Sequence, residues 1–259
     1  MTALLVFSGH LRGACKNARL LEHFSRQCDA VFGSCEKVLV TYTTPFGASV
    51  NGKRRTPTHQ LSHAQCLRRI RERVHFDNIE TVEETTSRNR VDRYDQMIAN
   101  ILLGIRMAQL SRHAVVLRMR PDSGLGGINA LLSNATWHTL LNIPADTVVQ
   151  YGTYKSRDGD RVNGDNAFAA RWDTFGRFVR LWSQEVVDLL SSGTCDHAEL
   201  TMNPVARRHN FTLSWPSVGP ALAQRSAAVR QSGRAAPREE KKLGALTSPA
   251  RVRVRSSTR

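Results

Sequence analysis

The sequence is short of carboxylates. Its 259 residues hold 22 Asp and Glu against 37 Lys and Arg, a formal net charge of +15. Residues 225–259 have ten Lys and Arg against Glu239 and Glu240, so this stretch alone carries +8 of the total. The residues before it are only moderately basic. No apolar run is long enough to cross a bilayer, which excludes a transmembrane helix. The five cysteines (Cys15, Cys28, Cys35, Cys66, Cys195) show no C-x-x-C spacing and are odd in number. That argues against a zinc site and a complete disulfide framework, and predicts mostly free, half-buried thiols. Absent too are G-x-x-x-x-G-K-[ST], G-x-S-x-G and His-Glu-x-x-His, the marks of a P-loop, a serine-hydrolase elbow and a zinc peptidase helix. The basic end contains no aromatic residue to stack on bases, so it reads as a solvated extension, not a specific nucleic-acid reader. Its charge allows weak contact with anionic surfaces.

Met1–Phe7 lacks the charged and apolar regions of a signal peptide and reads as a first strand. The chain as written is thus cytoplasmic, or Golgi/secretory if an amino-terminal anchor lies upstream. The N-glycosylation triplets Asn134-Ala135-Thr136 and Asn210-Phe211-Thr212 would matter only in the second case, and such triplets often arise by chance.

What is present is an α/β pattern. With 41% hydrophobic and 23% charged residues the composition is ordinary for a globular domain. Apolar runs predict strands over residues 3–7, 37–42, 79–82, 114–117, 147–151 and 211–215, with a short apolar piece at 168–170. Helical spacing marks 15–27, 59–74, 93–110, 128–141, 175–190 and 196–209, the last interrupted by Pro204. Residues 43–58 and 152–164 read as loops. The only i, i+4 histidine pair, His59 and His63, reads as exposed helix residues without a third ligand. Strands alternating with helices imply a single mostly parallel sheet flanked by helices, here over 1–222, followed by a disordered basic tail over 223–259.

The richest stretch is Val115–Gly124, VVLRMRPDSG. A buried strand leads into Arg118, Arg120 and Asp122, at the sheet edge where ligands bind in open α/β folds. Residues at i and i+2 of a strand share a face. The two arginines can therefore grip one phosphate, while Asp122 holds Mg²⁺ or Mn²⁺. A structural Arg–Asp pair closing a strand end is the competing reading. Ser8-Gly9-His10-Leu11-Arg12 follows the first strand and precedes a helix, which suits an anion near Ser8, Gly9 and Arg12, or an ordinary βα turn. Asp165, within Asn163-Gly164-Asp165-Asn166, is a candidate base, acceptor-orienting group or metal ligand, or part of a turn. Glu199, at a helix start, is a candidate general base or a carboxylate facing the helix dipole.

Taken in order, these stretches resemble a group of glycosyltransferases similar to WavE-type lipopolysaccharide and capsular polysaccharide synthesis proteins, which have a GT-A-like fold. The likeness rests on Ser8-Gly9-x-x-Arg12, Arg118-x-Arg120-Pro121-Asp122 and Gly164-Asp165-Asn166-Ala167-Phe168-Ala169-Ala170, then an acidic helix with Glu199. It spans residues 3–215 in layout. The chain departs from the family pattern at His10, where glutamine is more usual, and in having one carboxylate, Asp122, in place of the D-x-D pair. The resemblance implies a transferase that moves a sugar from a nucleotide-sugar donor to a glycan or other hydroxyl acceptor, assisted by Mn²⁺ or Mg²⁺. The first loop and the two arginines would then lie at the nucleotide sugar, Asp122 at the metal, and Asp165 or Glu199 at the acceptor. The alternatives are a catalytically inactive nucleotide-binding homologue and a basic protein that binds nucleic acid or anionic surfaces.

Overall fold

A computed structural model describes residues 2–11, 14–15, 18–43, 61–85, 87, 89–108, 113–121, 131, 133–155, 161–195 and 198–214. Of these, 90, 152–155, 161–165 and 198–199 are described in backbone only. The chain divides at Ser217, and Val218–Arg259, which includes all of the expected tail, lies outside the described residues.

Seven strands form one sheet: β1 (Thr2–Ser8), β2 (Ser34–Tyr42), β3 (Asn78–Val82), β4 (Val115–Met119), β5 (Thr147–Lys155), β6 (Arg161–Arg171) and β7 (Thr212–Ser214). Their spatial order is β3-β2-β1-β4-β6-β5-β7. The pairs β1–β2, β2–β3, β1–β4 and β5–β7 are parallel, and β6 runs antiparallel to both neighbours. The helices are α1 (Ala18–Phe32), α2 (His63–Arg71), α3 (Arg90–Met107), α4 (Asn134–Thr139), α5 (Trp172–Ser191) and α6 (Ala198–Arg208).

The sheet is mostly parallel and covered on both faces, so its central strands are apolar without alternation. Ala3–Phe7 and Val115–Leu117 are buried throughout. Leu5, Phe7, Leu39, Leu117 and Met119 pack with Leu21, Phe24 and Cys28 of α1, Cys66 and Ile70 of α2 and Trp137 of α4. On the opposite face Leu4, Val6, Val40, Val116 and Phe168 pack with Ile98 and Ile101 of α3, Phe175, Phe178 and Trp182 of α5 and Met202 and Val205 of α6. Gly104 lets α3 approach β1 closely: a Cβ there would stand 2.6 Å from Val6 Cγ1.

Several expectations change. Residues 152–164 are largely strand, because the ends of β5 and β6 pair as Thr153↔Asn163, Tyr154↔Val162 and Lys155↔Arg161. Cross-strand hydrogen bonding outweighs the turn-forming composition that made this stretch read as a loop. Of the helix expected over 128–141, the described part comprises α4 and a 3-10 turn at Leu140–Asn142, while 128–130 and 132 lie outside the described residues. α2 starts at His63, where Ser62 and Gln65 form a capping box. α6 continues through Pro204. Burial of Met202, Val205 and Ala206 offsets the hydrogen bond that proline cannot make. The cysteines are mostly not free: Cys15 pairs with Cys66 and Cys28 with Cys35, leaving Cys195 as a buried thiol. Spacing carries no sign of these pairs, because the fold itself brings the start of α1 to α2 and its end to β2.

Candidate functional site

The strand order reverses at β1 and β4. From β1 the chain builds outward through β2 and β3, then returns to the other side of β1 with β4. Loops leaving the carboxyl ends of two such strands diverge and open a crevice. Ser8 and Arg118 are placed at that point.

β1 and β4 run in register with Val6↔Arg118 and Phe7↔Met119. The Arg118 guanidinium is fully buried and reaches back across the switch point. Its Nε–H donates to Ser8 Oγ at 2.9 Å and its Nη2–H to the Ser8 carbonyl at 3.2 Å. It also lies 6.0 Å from the centroid of the Phe168 ring. Gly9 has φ +136°, a conformation that side chains rarely adopt, and its N–H donates to the Val40 carbonyl at 3.0 Å. A Cβ on Gly9 would sit 3.6 Å from Pro121 Cδ, so the first loop and the β4 exit run side by side.

Arg120 is half-buried, and its N–H donates to the Asn166 carbonyl at 2.8 Å, extending the β4–β6 pairing. Asp165 is the next residue along β6. Between the pairs Tyr151↔Ala167 and Thr153↔Asn163, β6 places Gly164, Asp165 and Asn166 opposite the single residue Gly152 of β5. A bulge of this kind bends a strand and re-aims its side chains, and bulges collect beside functional sites.

Four further residues join this edge. Tyr42, the last residue of β2, is 5% exposed. Its phenol is pushed up to about 12, chiefly by burial and then by the charge of Glu84; Arg118, Arg120 and a hydrogen bond with Asn100 pull the other way. At neutral pH Tyr42 is therefore uncharged. The His10 ring lies over Tyr42 with centroids 4.3 Å apart, and His10 Nε2 is 3.3 Å from Glu84 Oε1. Asn100 comes from α3 and is 5% exposed. Sequence reading did not assign roles to Tyr42, Glu84, Asn100 or His10. One signal was available: Tyr42 ends a parallel strand and Glu84 lies two residues past another, at the edge where such folds bind ligands.

Of the sequence candidates, Ser8, Gly9, Arg118 and Arg120 meet at this edge, with the backbone of Asp165 beside them. Their tasks differ. Arg118 holds the end of β1, while Arg120 is less deeply enclosed. Glu199 does not join them on the same elements: α6 packs on α5, β6 and β7. Arg12 and Asp122 lie outside the described residues, and the side chains of Asp165 and Glu199 are not described. Among the described residues no three His, Cys, Asp or Glu side chains gather as a metal site. No protein-family model matches the chain, and no curated protein matches its sequence.

Chemically, the edge combines two guanidinium groups, a glycine loop, an uncharged phenol stacked on an imidazole, and one carboxylate next to that imidazole. It suits an anionic ligand better than a purely apolar one.

Proposed function

We propose that the chain is a glycosyltransferase with a GT-A-like architecture, transferring a sugar from a nucleoside-diphosphate donor to a hydroxyl of a glycan or similar acceptor. The observation that carries this reading is the meeting of three separate stretches at one carboxyl edge: Ser8-Gly9, Arg118–Pro121 and the Gly164–Asn166 bulge. They are the stretches on which the resemblance to WavE-type proteins rests. The mostly parallel sheet with its switch point at β1 and β4 is compatible with the expected fold.

In this reading the glycine loop and Arg120 bind the donor diphosphate, and Arg118 fixes the loop. Asp165, on the bulge, serves the acceptor hydroxyl as orienting group or base. Asp122 directly follows Pro121, and one carboxylate together with substrate phosphates is a donor set that Mg²⁺ or Mn²⁺ accepts. A metal bound there would supply charge stabilisation as negative charge grows on the leaving diphosphate.

Equilibrium binding of nucleoside diphosphates to the full chain, with and without Mn²⁺, tests the reading. Binding is expected to require the metal and to weaken at least about tenfold (about 1.4 kcal/mol) in Asp122→Asn. Turnover of a nucleotide sugar then separates a transferase from a silent binder. If Asp122→Asn changes nothing while removal of residues 225–259 abolishes binding, the chain is a basic anion binder and the proposal fails.

A further inference from the structure

We propose that Asn210 is an N-glycosylation site and that the chain matures in an oxidising, glycosylating compartment. Two independent features point there. The first is the pair of disulfides, Cys15–Cys66 and Cys28–Cys35, of which one ties the segment before α1 to α2 and the other ties α1 to β2. Structural disulfides persist in oxidising compartments and are rare where thiols are kept reduced.

The second is the geometry of the triplet Asn210-Phe211-Thr212. Asn210 follows α6 on a left-handed turn, φ +58°, and is exposed. Phe211 turns inward: it packs edge-on against Phe178 at 5.3 Å, and Arg177 lies 4.7 Å from its ring centroid. Thr212 is again exposed, and its N–H donates to the Asp146 carbonyl at 2.8 Å. The asparagine amide and the threonine hydroxyl, the two groups an acceptor triplet needs, thus both face solvent while the residue between them anchors the turn. The second triplet is less open, because Thr136 is half-buried on α4. Asn210 also adjoins β7, the outermost strand on its side of the sheet.

The step needs a lipid-diphosphate-linked oligosaccharide and an oligosaccharyltransferase of the cell that makes the chain. The anomeric C–O bond to the diphosphate breaks, a C–N bond to Asn210 Nδ2 forms, one amide proton leaves to a base, and the lipid diphosphate departs. The inference does not depend on what the chain itself catalyses.

The test is peptide mapping of the full chain isolated from the cells that make it, before and after a peptide N-glycosidase and without reduction. The expected result is a glycan on the Asn210 peptide, removed to leave aspartate, together with Cys15–Cys66 and Cys28–Cys35 linked peptides. An unmodified Asn210 peptide overturns the proposal. A variant set expressed in the same cells guards against misfolding artefacts. Thr212→Ala should lose one glycan and Thr212→Ser should keep it, with both proteins retaining the disulfides. A glycan that persists in Thr212→Ala also overturns the assignment.

Discussion

Replacing Gly104 by alanine tests how the sheet and α3 are fitted together under the candidate site. In an exposed helix interior this change gains about 0.8–1 kcal/mol from backbone entropy and propensity. Here the new methyl would lie 2.6 Å from Val6 Cγ1 and 3.5 Å from Val40 Cγ2. Carbon atoms settle at about 3.5–4.0 Å, so the first contact is short by about 1 Å. Val6 lies on a central strand with no exposed surface, so it can give way only by displacing packed neighbours. Overpacking of this size costs about 1–3 kcal/mol, which cancels or outweighs the propensity gain and leaves a net loss of up to about 2 kcal/mol. The double-mutant cycle with Val6→Ala sharpens the reasoning. Val6→Ala alone should destabilise by about 2–3 kcal/mol, yet adding Gly104→Ala to it should restore about 1 kcal/mol, because the clashing methyls are gone. Urea denaturation of the four proteins, followed by tryptophan fluorescence and circular dichroism, measures the coupling. A stability gain for Gly104→Ala in the native background would refute the close approach. The packing reaches the site as well: Asn100, one turn earlier on α3, meets Tyr42. Lifting α3 off β1 should therefore loosen the Tyr42 environment and bring its titration back toward 10.

Three other outcomes follow from named contacts. Tyr42 keeps its proton to about 12 in the fold, whereas a tyrosine in the unfolded chain titrates near 10. Its contribution is fully present below about pH 10 and is lost as pH rises toward 12, about 3 kcal/mol in all. Tyr42→Phe should remove its share of the stability–pH slope above about pH 10, leaving the share from Tyr151, which burial pushes up further. An unchanged curve would refute the assignment. Ser8→Ala removes one acceptor of a buried guanidinium and leaves the Ser8 carbonyl in place, and urea titration should show a loss of about 1.5–3 kcal/mol; a change below about 0.5 would mean that the Ser8 hydroxyl does not hold Arg118. Removing Cys15–Cys66, which spans 51 residues, should cost about 4 kcal/mol by chain entropy, against about 2.5 for Cys28–Cys35, which spans 7. Paired Cys→Ala variants test the order, and a larger loss for the short loop would contradict it.

The parts of the fold legible in the sequence are those decided locally. β1, β2 and β4 are apolar runs because both faces are covered, and such runs need no partner to be recognised. α3 and α5 announce themselves through an apolar stripe. What sequence reading missed is decided by distant partners. The ends of β5 and β6 are rich in Gly and Asp and become strand only through each other. The disulfides join residues whose proximity the fold creates. α6 tolerates Pro204 because of the face it buries.

The candidate site divides along the same line. Arg118 and Arg120 share a face by strand alternation, so their common direction could be read without a structure. Their unequal burial could not, since it depends on Ser8, Phe168 and the helices that close over β4. A buried guanidinium with a hydroxyl and a carbonyl as acceptors is an expensive way to fill space, because the charge must leave water. Its return is positional: it fastens the last residue of β1, immediately before the left-handed Gly9, and so sets where the glycine loop begins. Arg118 is then a positioning residue and Arg120 the candidate ligand-binding one. Ligand affinity in Arg118→Lys and Arg120→Lys distinguishes the two roles. Lysine at 120 keeps the charge and should weaken diphosphate binding modestly. Lysine at 118 cannot span Ser8 Oγ and the Ser8 carbonyl with a fixed fork, so it should lower stability and affinity together. Equal effects on affinity with no loss of stability at 118 would place both arginines on the ligand.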